Sequence, residues 1–345
     1  MSDRLCVGIA GYGIVGQRRR LVIDQHPQLQ MVAVCDRRYS EAGALPDGVR
    51  FYPTYQELLR EPLDVLFVSM SNDMAAEVTV AGLDRGLHVF CEKPPARNLE
   101  EMGRVLAAER RHPQLRLKYG FNHRYHDSVK DALRLVRSGE LGAVLNLRGV
   151  YGKSKMLNFA SDWRTERAVA GGGILLDQGI HMVDMLRLFA GEFVDIHSFI
   201  SNRFWRHDVE DNAYALMRTA DGVVALLHSS ATQWRHRFHL EIALERGTIV
   251  LSGILSGSKS YGAETITVAY AGEDDSGDPL EKTTRYNTDR SWRDETFEFA
   301  EALTSGGPIV HGSSAEAHKT LELVYRIYCA DPDWKRQFGL SDQTS

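Results

Sequence analysis

The chain has 345 residues, enough for two domains of ordinary size, and its 43% apolar and 25% charged residues are the composition of a globular protein. Its net charge of −5 provides no basic field for a polyanion, which argues against nucleic-acid binding. No apolar run approaches the ~20 residues needed to cross a bilayer, so no membrane partner is expected.

The first ~120 residues alternate short apolar strands with helical stretches. Strands are predicted at 5–10, 31–35, 65–69, 88–91 and 115–119, and helices at 16–25, 55–59, 75–85 and 99–110. Continuous apolar strands alternating with helices indicate a parallel sheet covered on both faces. The pattern changes after Gly120. Longer runs with β-branched and aromatic residues follow at 145–151, 193–202, 213–218, 223–229 and 239–243. Asp221-Gly222 between two of them is a hairpin signal. These runs predict a mainly antiparallel sheet with helices to one side. Residues 272–279 read as a polar, acidic loop. Two helices close the chain at 292–303 and 316–329, the last with a capping box from Ser313 to Glu316. The chain opens directly into a strand with no signal-peptide pattern, which predicts a cytoplasmic protein. Cys6, Cys35, Cys91 and Cys329 lie far apart without metal-ligand spacing and read as reduced core thiols.

Gly11-Tyr12-Gly13-Ile14-Val15-Gly16 is a G-x-G-x-x-G run. It follows a predicted strand, precedes a helix, and has Asp36 at the end of the next strand. Gly11 permits the tight turn, Gly13 lets backbone approach a pyrophosphate, and Gly16 lets helix and strand pack closely. The N–H groups of the helix start, at Ile14 and Val15, then face the anion. Asp36 suits the hydroxyls of an adenosine ribose and favours NAD. Arg37 and Arg38 beside it keep NADP open, because an Arg there grips a 2′-phosphate. Arg18-Arg19-Arg20 reads as a solvated basic face, with a phosphate contact as the alternative.

Two further segments carry chemistry. Cys91-Glu92-Lys93-Pro94-Pro95 follows a strand, and the carboxyl ends of parallel strands are where ligands bind. Gly171-Gly172-Gly173 leads into a helix with Asp177 and His181 at i and i+4, on one face. Oxidising a secondary alcohol requires a base to take its proton as hydride leaves, and His181 suits that role near neutral pH. Asp177 orients His181 or holds a substrate hydroxyl. Lys93 hydrogen-bonds the reacting oxygen, and the choice of proton acceptor between Lys93 and His181 stays open. A metal face of Asp177, His181 and Asp184 lacks further ligands at suitable spacing, so no metal is expected. Asp184 reads as a salt-bridge residue.

With these motifs in this order the chain resembles the Gfo/Idh/MocA family, the glucose–fructose oxidoreductase and inositol dehydrogenase group, over nearly its whole length. Phe121-Asn122-His123-Arg124-Tyr125 is similar to the family's N-x-R-F segment. The resemblance implies an α/β Rossmann domain at 1–121. A substrate-binding and oligomerisation domain of α+β class follows at 122–345, with a large, mainly antiparallel open sheet. It implies Lys93, Asp177 and His181 as the catalytic residues. Gly11, Gly13, Ile14, Val15, Gly16, Asp36, Arg37, Asn72, Glu92, Lys93 and Arg164 would bind the cofactor. Arg124, Tyr151 and Trp163 would join the catalytic three around the substrate. Lys153 lines the same pocket beside Tyr151, whereas Arg235, His236 and Arg237 read as a solvated or subunit-interface cluster. One stretch departs from the family: where Thr-Pro-Asn-x-x-His is common, this chain has Met70-Ser71-Asn72-Asp73-Met74-Ala75.

The activity so implied is NAD(P)-dependent hydride transfer at a carbinol of a sugar, cyclitol or nucleotide sugar, with C3 suggested by relatives, in a homodimer or homotetramer. Two alternatives come with the family. One is a glycosidase or epimerase that oxidises its substrate transiently. The other is a non-catalytic regulator that binds dinucleotide, which has no need of Lys93, Asp177 and His181.

Overall fold

The computed structural model describes residues 4–153, 163–257, 261–272 and 278–342. Asp162, which precedes Trp163 and Arg164 in the segment expected over the substrate, and most of the acidic loop at 272–279 fall outside them.

The first sheet has seven strands: β1 (Leu5–Ala10), β2 (Leu29–Cys35), β3 (Gly43–Ala44), β4 (Arg50–Tyr52), β5 (Val65–Val68), β6 (His88–Glu92) and β7 (Leu117–Gly120). Their order is β3-β4-β2-β1-β5-β6-β7, parallel except for the short β3. β5 is buried at every residue, because helices cover both faces. The chain reverses its direction of growth at β1, between β2 and β5, so the loop after β1 opens at the switch point of the sheet. Helices α1 (Ile14–Ile23), α2 (Tyr55–Leu58), α3 (Asn72–Asp84) and α4 (Leu99–Arg111) make the crossovers.

After α5 (Asp127–Ser138) comes the second sheet. It comprises β8 (Val144–Gly152), β9 (Phe193–Ser201), β10 (Asn212–Thr219), β11 (Val224–Ser230), β12 (Arg237–Leu244), β13 (Gly247–Ser252), β14 (Glu264–Tyr270) and β15 (Leu280–Tyr286). The order is β15-β14-β13-β12-β8-β11-β10-β9, antiparallel except where β8 lies parallel to β11. The short α6 (Arg167–Ala170) and the longer α7 (Ile180–Ala190) lie between β8 and β9. The chain ends in α8 (Ser291–Ser305), α9 (Ser314–Cys329) and α10 (Pro332–Phe338). Helices α5, α7 and α9 pack on one face of this sheet. The other face is open, as the alternation in β10 shows: Ala213, Ala215 and Met217 are buried and Tyr214 and Leu216 exposed. Asp221-Gly222 turns the β10–β11 hairpin, with Gly222 at φ 97°. Ser313 Oγ accepts from Glu316 N, capping α9 as expected.

Every strand of the first sheet precedes residue 121 and every strand of the second follows it, but α8 returns to the first sheet. Phe299 and Ala300 of α8 pack with Val65, Phe67 and Phe90 in one apolar cluster. Here lies a correction to the basic-face reading of residues 18–20. Arg19 is 0% exposed: its Nε pairs with Glu92 and its Nη2 with Glu295, each at 2.6 Å. Its guanidinium lies between Phe90 and Trp292, 4.3 Å from each ring centroid. Arg20 pairs with Asp24 and Asp47. Among the described residues no helix is long and apolar enough to cross a membrane.

Candidate active site

The loop between β1 and α1 forms an anion cradle. Gly11 has φ +92°, and a Cβ there would lie 2.4 Å from Ser69 O; a Cβ on Gly16 would lie 2.2 Å from Gly11 O. Gly13 differs: a Cβ there would meet nothing within 4 Å, so its surface faces open space. Gly13 is also the N-cap of α1, with no side-chain cap and no acidic residue in the first turn. Ile14 is 75% exposed. The N–H groups at this helix start are thus left for an anion, and the residues fit a pyrophosphate. At the end of β2 the Asp36 carboxylate accepts from Arg38 N at 3.0 Å and Arg38 Nε at 2.8 Å. Burial opposes its charge, but these bonds outweigh it and hold the carboxyl below its ordinary range. Arg38 Nη2 also reaches Tyr12 O, laying Arg38 across the cradle's mouth, while Arg37 is exposed.

Lys93 stands just past the end of β6, where its bond to Pro94 is cis. Its Nζ donates to the Asp177 carbonyl and lies 3.8 Å from Asp177 Oδ1. Lys153, just past β8, puts its Nζ 3.4 Å from Asp177 Oδ2, and Arg164 Nε lies 3.7 Å from Oδ1. Burial works against the Asp177 carboxylate, yet Lys153, Lys93 and Arg164 together hold it well below the usual range. Burial pulls the Lys93 ammonium below an ordinary lysine; Asp177 opposes that shift, and Lys153 and Arg164 add to it. The Arg164 guanidinium lies over the Trp163 ring, 4.3 Å from its centroid.

His181 is reached differently from the expected shared helix face. Residues Leu175–Gly179 form a π-helical turn, so the 3.6-residue spacing between Asp177 and His181 does not hold. The described hydrogen bonds include none between them. Instead the His181 ring lies against His123, centroids 3.7 Å apart and planes 15° from parallel. His123 Nε2 is 3.1 Å from Tyr151 Oη and its Nδ1 is 3.3 Å from Asn122 Oδ1. The Asn122 oxygen accepts, so Nδ1 carries the proton and Tyr151 donates to Nε2. Burial drives both imidazoles well below the ordinary histidine value, and Lys93 adds to the effect on each. His181 is therefore neutral, and its buried Nδ1 has no hydrogen-bond partner among the described residues.

The structure gathers Lys93, Lys153 and Arg164 around Asp177, with Trp163 beside Arg164, and brings His181 and Tyr151 together through His123. It engages three other predicted residues elsewhere. Arg124 makes a buried bidentate pair with Asp184, at 2.7 and 2.6 Å. Asn72 Nδ2 donates to Ala170 O at 2.8 Å, tying α3 to α6. Glu92 takes Arg19. Two residues escaped the sequence reading. His123 lay unremarked in Phe121–Tyr125, although three histidines within 123–181 were a signal. Glu210 is fully buried and accepts from Gly173 N at 2.7 Å, Leu175 N at 2.9 Å and Tyr328 Oη at 2.6 Å. Its carboxylate holds the start of the segment that carries Asp177. No spacing announces such a residue, because the contact spans more than thirty positions.

Comparison with known proteins bears on the family and the fold. Residues 5–121 match the model of an oxidoreductase family with an NAD-binding Rossmann fold, and residues 129–250 match the GFO/IDH/MocA C-terminal domain. The chain is similar to 1,5-anhydro-D-fructose reductase of Ensifer adhaerens, 29% identical over 72% of this chain and 74% of that protein. It is also similar to D-glucoside 3-dehydrogenase of Escherichia coli, 27% identical over 95% of each. In fold it matches levoglucosan dehydrogenase in complex with NADH, with a TM-score of 0.82 and 21% identity over 96% of this chain and 98% of that one. With both halves matched in their expected order, the chain belongs to the Gfo/Idh/MocA family of oxidoreductases, whose first domain is an NAD-binding Rossmann fold.

Proposed function

We propose that this protein transfers hydride between a nicotinamide cofactor and a secondary carbinol or ketone of a sugar, cyclitol or nucleotide sugar. The observation that carries the reading is the pairing of the Lys93 ammonium with the Asp177 carboxylate, near enough to His181 to help keep that imidazole neutral. Backbone N–H groups of the Gly11–Gly16 cradle would hold the pyrophosphate, and Asp36 the adenosine ribose, which favours NAD over NADP. The bound nicotinamide supplies the hydride acceptor in oxidation and the donor in reduction. His181 accepts the hydroxyl proton as the C–H electron pair leaves and the C=O bond forms. Lys93 donates to the reacting oxygen and stabilises its negative charge. Asp177 keeps Lys93 charged and in place. Trp163 offers a ring face to a sugar. Similarity to a D-glucoside 3-dehydrogenase supports C3 as the reacting position.

The same reading places the enzyme in the cytoplasm as a homodimer or homotetramer. Phe199, Tyr214, Leu216 and Leu226 are exposed together on the open face of the second sheet, and such a face is suited to a second copy. Native mass spectrometry checks the subunit number. The activity is tested by following reduced-nicotinamide absorbance over sugars, cyclitols and nucleotide sugars with NAD and NADP in parallel. His181→Ala and Lys93→Met should each lower turnover by about 10²-fold or more. Near-normal rates in both overturn the assignment.

A further inference from the structure

A cavity of about 500 Å³ lies between α5, α7 and the segment joining α8 to α9, a volume that suits a small metabolite. From one side α5 sets Lys130, Arg134 and Arg137 at i, i+4 and i+7, a single helix face. Arg124 precedes α5, Leu188 comes from α7, and His311 from the α8–α9 segment. None of the residues gathered around Asp177 and His181 lines the cavity. Leu188 stands seven residues past His181, roughly 10 Å along α7.

Among the described residues, every charged side chain that lines the cavity is a cation. Their counter-ions stand elsewhere: Asp184 and Glu316 for Arg124, Asp127 and Asp294 for Lys130, Asp131 for Arg134. These pairs balance charge, but they leave hydrogen-bond donors unused. Arg124 gives its Nε and Nη2 to Asp184 and Glu316, whereas its Nη1 has no partner among the described residues. The side chain is 5% exposed, yet that Nη1 is not sealed off, so it opens to the cavity that Arg124 lines. The exposed Arg137 has no ion pair and no side-chain hydrogen bond among the described residues. Burial pulls the His311 imidazole below its ordinary value, Glu298 opposes the shift, and Arg124, Lys118 and Arg137 add to it. Arg124, Arg137 and His311 thus lie within electrostatic reach of one another. The dipole of α5 favours a cation in its last turn, which accounts for Arg137 but not for Lys130 or Arg134.

We infer that this cavity is a second ligand site, which binds a phosphate group, free or carried by a small metabolite. Guanidinium N–H groups match phosphate oxygens in geometry and charge, and a phosphate has oxygens enough for donors from several side chains. Arg137 offers its whole fork and Arg124 its Nη1, while Lys130 and Arg134 add charge from the same helix face. Through Arg124 a bound phosphate also meets the pair with Asp184, on the helix that carries His181. The site needs none of the residues assigned to hydride transfer.

The test is calorimetric titration of the enzyme–NADH complex, in which the Gly11–Gly16 cradle is filled, at low ionic strength. Inorganic phosphate and D-glucose 6-phosphate are the probes. At least one should bind saturably. In Arg134→Ala/Arg137→Ala its affinity should fall roughly tenfold or more, with NADH affinity unchanged. Lys335→Ala/Arg336→Ala removes the same charge from the exposed face of α10 and should change the affinity by about twofold or less. A roughly tenfold advantage of the ester over inorganic phosphate supports the site as one for a metabolite, and equal binding supports it as one for free phosphate. No saturable binding of either probe up to about 10 mM overturns the inference. So does an affinity that Arg134→Ala/Arg137→Ala leaves unchanged, or that both double variants lower alike. The readout is binding, so failure here leaves the hydride-transfer reading intact.

Discussion

His181 and His123 stack as parallel imidazoles 3.7 Å apart, and both are buried. At that separation two imidazolium charges repel strongly, and neither has water to screen it. The pair is held in the neutral form that a proton acceptor needs.

The pH dependence follows with a definite sign. Both native values lie well below 6.5, so the unfolded chain takes up protons on these residues as pH falls through about 6.5 while the native chain does not. Their contribution to stability is complete above pH 6.5 and is lost as pH drops toward the depressed native values. The acid limb of kcat/KM should therefore lie clearly below 6.5, while the melting temperature already declines between pH 6.5 and 5. An acid limb centred at or above 6.5 would count against a neutral His181.

Gly13 and Gly16 should separate cofactor binding from folding. Gly13→Ala adds a Cβ that meets no protein atom within 4 Å. Stability should change by about 0.5 kcal/mol or less. NADH affinity should fall roughly tenfold, read by fluorescence titration. Gly16→Ala places its Cβ 2.2 Å from Gly11 O. It should destabilise the fold by about 1–3 kcal/mol in urea. Equal NADH binding by Gly13→Ala and the parent would remove Gly13 from the cradle.

Arg19 should be essential to stability, although nothing exposes it. Arg19→Met leaves Glu92 and Glu295 facing each other, and burial already pushes Glu295 up to about 7 against the pull of Arg19 and Lys118. Removing one partner of a buried ion cluster costs about 3–5 kcal/mol. A urea midpoint shift equivalent to less than about 1 kcal/mol would show that the cluster is not a stabilising unit.

Arg124 and Asp184 should behave as one structural pair. Each side chain is nearly buried, at 5% and 2% exposure. Arg124→Ala and Asp184→Ala should each destabilise by about 3–5 kcal/mol, and the double variant by clearly less than their sum. KM measured on surviving folded protein should hold. A tenfold rise in KM for Arg124→Ala alone would return Arg124 to the substrate site.

The centre of the first sheet could be read from the chain because β1 and β5 are apolar throughout, and the second sheet in part because β10 alternates. β15 could not: six of the seven residues of Leu280–Tyr286 are exposed, leaving no apolar period to detect. The cradle was legible because its constraint is local, a turn in which backbone meets backbone. The π turn at Leu175–Gly179 was not, since it changes which side chains share a face without changing the residues themselves. Arg19 was misread because a run of three arginines looks solvated. Its burial depends on Glu295 and Trp292, which arrive more than 270 positions later. His123 and Glu210 act through contacts across elements, and no single segment carries that information.

The return of α8 to the first sheet sets the order in which this protein can be made. Until residues 291–305 leave the ribosome, Phe67 and Phe90 lack the cover of Phe299 and Ala300, and Arg19 and Glu92 lack Glu295. The nascent cofactor half emerges first but carries an unsealed apolar face and an incomplete charge cluster through almost all of synthesis. A fragment cut at Phe121 would preserve that unfinished state, so the smallest competent piece of this enzyme reaches past its last β-strand.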